Sequence, residues 1–292
     1  MGIERIQGLP CWLGAVTAEP MSGGLSNEIW KVTDGAGAHV VRFGADYPFH
    51  HVFRDREAMV ARAAATLGFG PAVEWSGPGV MVTAYLGART WGAADVAANP
   101  EGVGALLGAG HRRMLGEVEG AAFLFDVFHV IRDYGRTLAR AGSPFAGRVP
   151  GFLELAEGLE GAQVPLPIIF GHHDLLPANF LEDDVRLWLI DYEYAGFGTA
   201  MFDLAGAASN AGMDQGAAGR LLAAYLGHAP DAAFLRAFAA MQCASLLREA
   251  MWAMVSDIYL AAPGVDYKAY AGDNLARMEG ELARFRAEYG MT

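Results

Sequence analysis

The sequence predicts an α+β protein with two lobes: a small antiparallel β-sheet lobe with one main helix, then a larger, mostly helical lobe. Three observations support this division. Short β-prone runs separated by glycine-rich turns fill the first 86 residues, helical composition dominates after residue 100, and the β-prone runs beyond that point are few. We therefore place the N-terminal lobe at residues 1–86 and the C-terminal lobe at residues 87–292, with a ligand cleft between them.

The N-terminal strands are predicted from β-prone runs that lie between turn signals. The turns are the glycine-containing stretches at 22–24, 34–37 and 76–79. Residues 53–67, FRDREAMVARAAATL, have helical composition, and the glycine that follows them is a typical helix stop. The predicted strands are residues 16–21, 28–32, 39–43, 72–74 and 80–86.

The C-terminal lobe contains long segments of helical composition. Two short apolar runs, 168–170 and 186–190, are predicted to be strands that flank the lobe's most polar loop. A carboxylate at the end of such a strand would be held rigidly at the cleft. The predicted helices are residues 101–118, 126–141, 151–160, 216–227, 231–262 and 266–288.

The composition argues against several classes of protein. Hydrophobic residues make up 53% of the chain and charged residues 18%, which is enough apolar content for a sizeable core and argues against disorder. A formal net charge of −12 disfavours a nucleic-acid backbone or an anionic membrane as partner. Cys11 and Cys243 fit no zinc pattern, and neither a signal peptide nor an apolar run of ~18 residues is found, so we expect a cytoplasmic protein with reduced cysteines.

One segment, IIFGHHDLLPANFLEDDVRLWLIDYEYAG (168–196), carries the residues with the most chemistry. Asp174 lies in the loop after an apolar run, Asn179 follows five residues later, and Asp191 ends the next strand. Carboxylate and amide oxygens hold Mg²⁺ beside nucleotide phosphates, and a carboxylate near a hydroxyl accepts its proton. The segment therefore predicts phosphoryl transfer from ATP to a small molecule, with Asp174 as the base and Asn179 and Asp191 as metal ligands.

Two neighbours complete the predicted catalytic loop. Glu193 lies two residues beyond Asp191 and would reach a second metal ion directly or through water. His172 is assigned to the catalytic set as a brace of the loop rather than as an acid or a base. The alternative interpretation is a hydrogen-bonded loop without chemistry, and the matching spacings disfavour it.

Nucleotide-binding residues are predicted in the N-terminal lobe. The run GGLSN (23–27) fits a plain hairpin turn, but its glycines also let the backbone approach phosphates. Arg42 on the third strand would direct its charge at those phosphates, and Glu57 on the next helix would hold it, as a Lys–Glu pair does in kinase folds. The predicted nucleotide-binding set is Gly23, Gly24, Ser26, Asn27, Arg42, Glu57, Thr83 and Tyr85.

These motifs together resemble the choline/ethanolamine kinase branch of the aminoglycoside phosphotransferase superfamily. The matching pieces, in family order, are GGLSNEIWKV (23–32), HVVRFG (39–44), FRDREA (53–58), HHDLLPANFL (172–181), IDYEYAGF (190–197), FDLA (202–205) and REAMWAMV (248–255). The resemblance implies a protein-kinase-like bilobal fold, ATP and Mg²⁺ as cofactors, and phosphorylation of a hydroxyl on a small molecule. It assigns the catalytic base to Asp174 and the metal ligands to Asn179 and Asp191.

The resemblance also predicts a small acceptor, a cationic amino alcohol such as choline or ethanolamine. Aromatic faces beside a carboxylate bind such a cation. Trp252 falls where the family places a choline-contacting tryptophan, but Glu249 replaces a second tryptophan and Asn210 replaces a glutamate. A primary amine or another amino alcohol is therefore an alternative. The predicted acceptor set is Asp174, Tyr192, Glu249 and Trp252, with Tyr194 and Tyr259 as further aromatic candidates.

Two other functions stay open at this point. One is a kinase of another hydroxylated compound, of the aminoglycoside or thiamine type. The other is a catalytically silent nucleotide- or amine-binding relative, which the presence of Asp174, Asn179 and Asp191 disfavours. A protein kinase is less favoured because no APE sequence follows Asp191. We expect no nucleic-acid partner and no membrane insertion, and either a monomer or a homodimer.

Overall fold

The computed structural model describes residues 2–21, 27–120, 123–260, 262 and 264–290. Five strands form one antiparallel sheet in the spatial order Thr17–Pro20, Glu28–Thr33, Ala38–Phe43, Val80–Ala84 and Val73–Gly77, and most of the chain beyond them is helical, so the predicted α+β fold is confirmed. The elements are α1 (Gly2–Gln7), β1 (Thr17–Pro20), β2 (Glu28–Thr33), β3 (Ala38–Phe43), α2 (Arg54–Thr66), β4 (Val73–Gly77), β5 (Val80–Ala84), β6 (Arg89–Thr90), α3 (Ala93–Ala98), α4 (Pro100–Met114), α5 (Val127–Arg140), α6 (Val149–Glu160), β7 (Ile168–Gly171), β8 (Phe180–Glu182), β9 (Leu187–Leu189), β10 (Gly196–Thr199), α7 (Ala200–Ala211), α8 (Gln215–Leu226), α9 (Ala232–Tyr259) and α10 (Tyr267–Tyr289).

Several element predictions need correction. The helix predicted at 101–118 is α4, which ends at Met114. Helices α1, α3 and α7 and strands β6, β8 and β10 were not predicted. The strands are too short to show a period, and α1 and α3 span six residues each. Helix α7 is buried almost all round, so it lacks the polar face that marks a surface helix in a sequence.

The sheet positions Arg42 at its inner strands. Arg42 opposes Ile29 of β2 on one side and Met81 of β5 on the other. Of the predicted nucleotide-binding run, Gly23, Gly24 and Ser26 lie outside the described residues. The sheet thus fixes the backbone of the arginine whose side chain reaches Asp191 in the helical region.

Two hydrophobic clusters hold the fold together. A small one lies on the sheet and consists of Ile6, Val32, Val41, Phe43 and Val82. The larger one fills the helical region and also takes in the buried face of α2, including Val60 and Ala64. Because α2 belongs to the large cluster by packing, the helix that carries Glu57 is fixed to the C-terminal core as well as to the sheet.

Helix α9 is the central element of the helical region. It packs against α5, α6, α7 and α10, and most of its side chains are buried. Its 28 residues make it about 42 Å long at ~1.5 Å per residue. Within the part of the chain that the structure describes, no helix has both the length and the apolar character needed to cross a membrane.

Helix α4 offers a matched test of close helix packing. A Cβ at Gly104 would lie 2.5 Å from the carbonyl oxygen of Leu221 on α8, whereas a Cβ at exposed Gly102 would meet nothing within 4 Å. Gly104→Ala should therefore force the helices apart and lower the free energy of unfolding by about 1–3 kcal/mol. Gly102→Ala should leave it unchanged or raise it by up to about 1 kcal/mol, because alanine favours the helix.

Urea unfolding of both variants, followed by circular dichroism, measures this difference. Equal stability of Gly104→Ala and wild type would mean that α4 and α8 do not depend on this close approach.

Candidate active site

The catalytic loop joins β7 to β8 and presents Asp174. The side-chain amide nitrogen of Asn179 donates to the Asp174 carbonyl at 2.7 Å and to its carboxylate Oδ2 at 3.2 Å. The backbone N–H of Asp174 donates to His172 Nδ1 at 3.3 Å. Asn179 and His172 therefore hold the loop closed around Asp174 and fix the direction of its carboxylate.

The environment of Asp174 favours the protonated form of its carboxyl group. Burial raises its pKa well above the usual range, and the negative charges of Asp191 and Glu249 act in the same direction, while Arg248 opposes them. A carboxyl group with raised proton affinity acts as a base only in its ionised form, and once ionised it binds a proton strongly. Burial, the two neighbouring carboxylates and Arg248 thus set the proton affinity of Asp174.

Asp203 at the start of α7 anchors the loop from behind. Its two carboxylate oxygens accept hydrogen bonds from the backbone N–H groups of His172 at 2.8 Å and His173 at 2.7 Å. His111 Nε2 lies 2.9 Å from Oδ2 of the same carboxylate. Burial would raise the pKa of Asp203, but the neighbouring His173 and the hydrogen bond with His111 outweigh it and hold that pKa well below its usual range. Asp203 was not among the predicted site residues, although the FDLA piece contains it.

His172 and His173 are structural members of the loop. His172 Nε2 lies 2.9 Å from the carbonyl oxygen of Ile190, which agrees with its expected bracing position. His173 has φ = 60°, a left-handed conformation that histidine adopts more readily than most residues, and its ring stacks on Phe125 at 4.1 Å. A Cβ on Gly171 would overlap the His173 ring, so this backbone approach requires glycine.

The two carboxylates predicted to bind the metal, Asp191 and Glu193, follow β9 in the chain. Asp191 has φ = 68°, which turns its carboxylate out of the strand direction, and Arg42 Nη1 donates to its Oδ1 at 2.6 Å. Arg42 also contacts Glu57, so the expected ion pair between these two residues is present. The arginine predicted for the nucleotide and the carboxylate predicted for the metal therefore lie side by side.

A second arginine connects the two regions and was missed in the sequence. Arg54, at the start of α2, donates to Glu57 at 2.7 Å and to Glu193 at 2.8 Å through the same nitrogen. Burial raises the pKa of Glu193 and Asp191 adds to this, while Arg54 and Arg42 lower it. The FRDREA piece contains Arg54, but a charge at the start of a helix gives no sign that it will pair with a residue 139 positions away.

The donor set fits a magnesium nucleotide. Among the described residues, no group of three His, Cys, Asp or Glu side chains gathers as a metal site. Mg²⁺ commonly uses one or two carboxylates and completes its shell with substrate phosphates and water. Asp191 supplies such a carboxylate. The amide nitrogen of Asn179 donates its hydrogen bonds to Asp174, so its amide oxygen is the atom that could bind a cation. Glu193 lies beside them as the third predicted ligand.

Three further predicted nucleotide-binding residues lie within the described part of the sheet region. The side-chain oxygen of Asn27 lies beside Gly44, where a Cβ would come within 2.5 Å of it. Thr83 opposes Val40 in the sheet. The N–H of Tyr85 donates to the Ala38 carbonyl at 3.0 Å, which ties the chain to the sheet where it leaves toward the helical region.

An aromatic cluster lies on the α9 side of the catalytic loop. Trp252 Nε1 donates to the Tyr194 hydroxyl at 2.9 Å, and the tryptophan ring stacks on His50 with centroids 5.3 Å apart. Tyr270 lies edge-on to Trp252 and donates its hydroxyl to Glu249 at 2.8 Å. The structure thus brings Trp252 and Glu249 together with Tyr194, within the electrostatic reach of Asp174.

Tyr192, which the sequence assigns to the acceptor set, does not join this cluster. Its ring packs against His172 at 4.7 Å and lines a small apolar space with Phe69 and Leu189 behind the loop. Tyr194, two residues later, faces Trp252 instead. A positive φ at Asp191 and the turn after it, rather than extended strand geometry, direct the two tyrosines to different sides. Tyr259 lies farther out, stacked on Phe49.

Comparison with known proteins identifies the family. A model of the phosphotransferase enzyme family (APH) matches residues 17–244. Since this match covers most of the chain, the protein belongs to the phosphotransferase enzyme family. The phosphotransferase class and the resemblance to the aminoglycoside phosphotransferase superfamily are thereby confirmed.

Similar proteins include two solved structures and one sequence relative. A choline/ethanolamine kinase family protein from Mesorhizobium loti is 26% identical, with 98% of each chain covered and a TM-score of 0.80. Choline kinase LicA from Streptococcus pneumoniae is 20% identical over 96% of this chain and 97% of that one, with a TM-score of 0.78. Protein LicA of Haemophilus influenzae is 43% identical over 54 residues, and the match spans 18% of this chain and about a fifth (20%) of that relative's length.

The buried histidines predict a loss of stability in mild acid. Burial lowers the pKa of His173 to about 4 and also lowers that of His172, whereas a histidine in the unfolded chain titrates near ~6.5. Between these values the unfolded chain binds the additional protons, so stability is complete above pH ~6.5 and falls as the pH decreases. Each such histidine should contribute a slope of roughly 1.4 kcal/mol per pH unit within this window.

The slope is measured as the free energy of unfolding between pH 7.5 and 4.5. His173→Asn is chosen because asparagine tolerates a left-handed conformation. It should reduce the slope by roughly 1.4 kcal/mol per pH unit, which corresponds to one proton fewer taken up on unfolding. Exposed His228→Asn is the control and should leave it as in wild type. An unchanged slope in His173→Asn would show that His173 does not stay neutral in the folded protein.

Proposed function

We propose that this protein transfers the γ-phosphoryl group of ATP, with Mg²⁺, to the hydroxyl of a small amino alcohol such as choline or ethanolamine. One observation carries the proposal. Asp174 lies within electrostatic reach of Asp191 and Glu193, which pair with Arg42 and Arg54, and also of Glu249 in the aromatic cluster. That is the position required of a base that meets both an acceptor hydroxyl and a nucleotide.

The residues divide the chemistry between them. Asp174 would orient the acceptor hydroxyl and take its proton as the oxygen forms a bond to the γ-phosphorus and the bond to ADP breaks. A base of this kind contributes ~10²–10⁴ in rate. Arg42, held by Glu57, would contact the nucleotide phosphates, and Asp191 and Asn179 would hold the metal. When bound, Mg²⁺ neutralises charge on the phosphate oxygens.

The amino alcohol is favoured over other acceptors by the residues beside Asp174. Trp252 and Tyr194 offer aromatic surface, and Glu249 offers negative charge, which are the features that attract an organic cation. The similar proteins from M. loti and S. pneumoniae carry the names of choline/ethanolamine and choline kinases. We also propose a cytoplasmic location, the lobe division at residue 86, and a monomer or homodimer, on the grounds given by the sequence.

An acceptor panel tests the proposal. ADP release with Mg·ATP should be measured with choline, ethanolamine, the N-methylated ethanolamines, thiamine and kanamycin. We expect turnover on one or more of the amino alcohols. Turnover on thiamine or kanamycin alone would support phosphoryl transfer from ATP but would refute an amino alcohol as the acceptor. ATP binding without turnover on a wide acceptor set would favour a silent relative.

Asp174→Asn tests the assignment of the base. The amide has nearly the same shape but accepts no proton, so kcat should fall by roughly 10²–10⁴. The ATP dissociation constant, measured by calorimetry, should change little because the predicted nucleotide contacts lie elsewhere. Asp184→Asn in the nearby loop is the control, since Asp184 is exposed and has no assigned role. Near-normal turnover by Asp174→Asn would remove Asp174 from the mechanism.

A further inference from the structure

Arg248 is a buried cation in the acceptor region that the proposed mechanism does not use. It lies on α9 one position before Glu249, and only 3% of its surface is exposed. Its Nη1 donates to Glu249 at 2.9 Å. Among the described residues, its Nε and Nη2 atoms have no hydrogen-bond partner.

The two unpartnered nitrogens belong to one edge of the guanidinium group. Their N–H bonds point in nearly the same direction, with the spacing of two carboxylate oxygens, which is the geometry of bidentate arginine–carboxylate pairs. A buried charge with unsatisfied donors is unfavourable unless a partner supplies the missing hydrogen bonds. The edge therefore requires an anionic or strongly polar oxygen group.

The surroundings show where that partner would lie. The guanidinium carbon of Arg248 is 4.7 Å from the centroid of the Tyr194 ring, the same ring whose hydroxyl accepts from Trp252. The carbonyl oxygen of the same Tyr194 lies 3.3 Å from Nδ1 of His173, the residue before Asp174, so Arg248 lies near Asp174, and the charge of each shifts the pKa of the other. A small molecule with its hydroxyl at Asp174 would therefore bring a second group close to Arg248.

Arg248 also changes what the aromatic cluster offers to a cation. The guanidinium already occupies a face of Tyr194, and both carboxylate oxygens of Glu249 are engaged, one by Arg248 and the other by Tyr270. A purely cationic acceptor would thus meet a neighbouring positive charge. An acceptor that also carries a negative group would be attracted to that charge instead.

We propose that the acceptor of this phosphotransferase is a hydroxylated amine that also bears a carboxylate, and that the free edge of Arg248 binds this carboxylate. The inference rests on the proposed function for the phosphoryl transfer itself. In the reaction the acceptor hydroxyl oxygen bonds to the γ-phosphorus, its proton goes to Asp174, ADP leaves, and the carboxylate stays intact on Arg248. Arg248 acts as a specificity-determining residue and takes no part in bond making.

Matched acceptor pairs test this assignment. Ethanolamine and serine, 3-aminopropan-1-ol and homoserine, and β-methylcholine and carnitine differ within each pair chiefly by the carboxylate. For the preferred pair, wild type should show a kcat/KM at least about 10-fold higher for the carboxylated member. Arg248→Met should abolish that preference, a loss of about 10-fold or more, because the guanidinium edge is lost. Arg248→Lys, which keeps the charge without the fork, should retain part of it.

A control variant and a binding assay separate the carboxylate site from other effects on turnover. Arg236→Met, on the same helix twelve positions earlier, is the control and should leave the preference as in wild type. Thermal shift without nucleotide compares the same pairs, and the carboxylated member should raise the melting temperature more, with the difference lost in Arg248→Met. This readout supports or refutes the carboxylate site even if no panel member is phosphorylated, in which case the proposed function fails separately. A wild-type preference for the uncarboxylated members, or an equal preference within each pair, would overturn the assignment.

Discussion

The whole site depends on one buried carboxylate, Asp203. It is completely buried, and it accepts two successive backbone N–H groups of the catalytic loop while it also bonds His111. A buried charge persists only where hydrogen bonds replace water. Because those bonds come from His172 and His173, the loop that carries Asp174 is held on the core helix α7 as well as by the short strands that flank it.

A second constraint is the set of ion pairs between the sheet region and the helical region. Arg42 pairs with Glu57 and Asp191, while Arg54 pairs with Glu57 and Glu193. Buried pairs of this kind contribute less to stability than to a unique geometry, since their desolvation cost offsets much of the attraction. Glu57 is shared by both arginines, so the position of α2 decides where the nucleotide-side charges point.

The acceptor side is organised by α9, which supplies both aromatic and charged residues to one place. Trp252 lies about one helical turn beyond Arg248 and Glu249, and the side chains of all three converge near Tyr194. The aromatic surface and carboxylate favour an amino alcohol, while the unpartnered edge of Arg248 calls for a negative group on the same molecule. These residues together are the basis of the zwitterionic acceptor proposed above, a more specific class than the family resemblance alone implies.

The sequence by itself determined the fold class, most helices and strands and the phosphotransferase family, and it singled out the loop segment that is predicted to be catalytic. Turn signals, composition and motifs of fixed spacing involve residues that are close together in the chain, so they can be recognised from the sequence without knowing the tertiary structure. Tertiary structure alone decided that Arg54 meets Glu193 across 139 positions, that Asp203 anchors the loop, and that Tyr194 rather than Tyr192 faces Trp252. Those facts depend on how distant elements pack and on a left-handed residue at Asp191, and neither leaves a periodic trace in the chain.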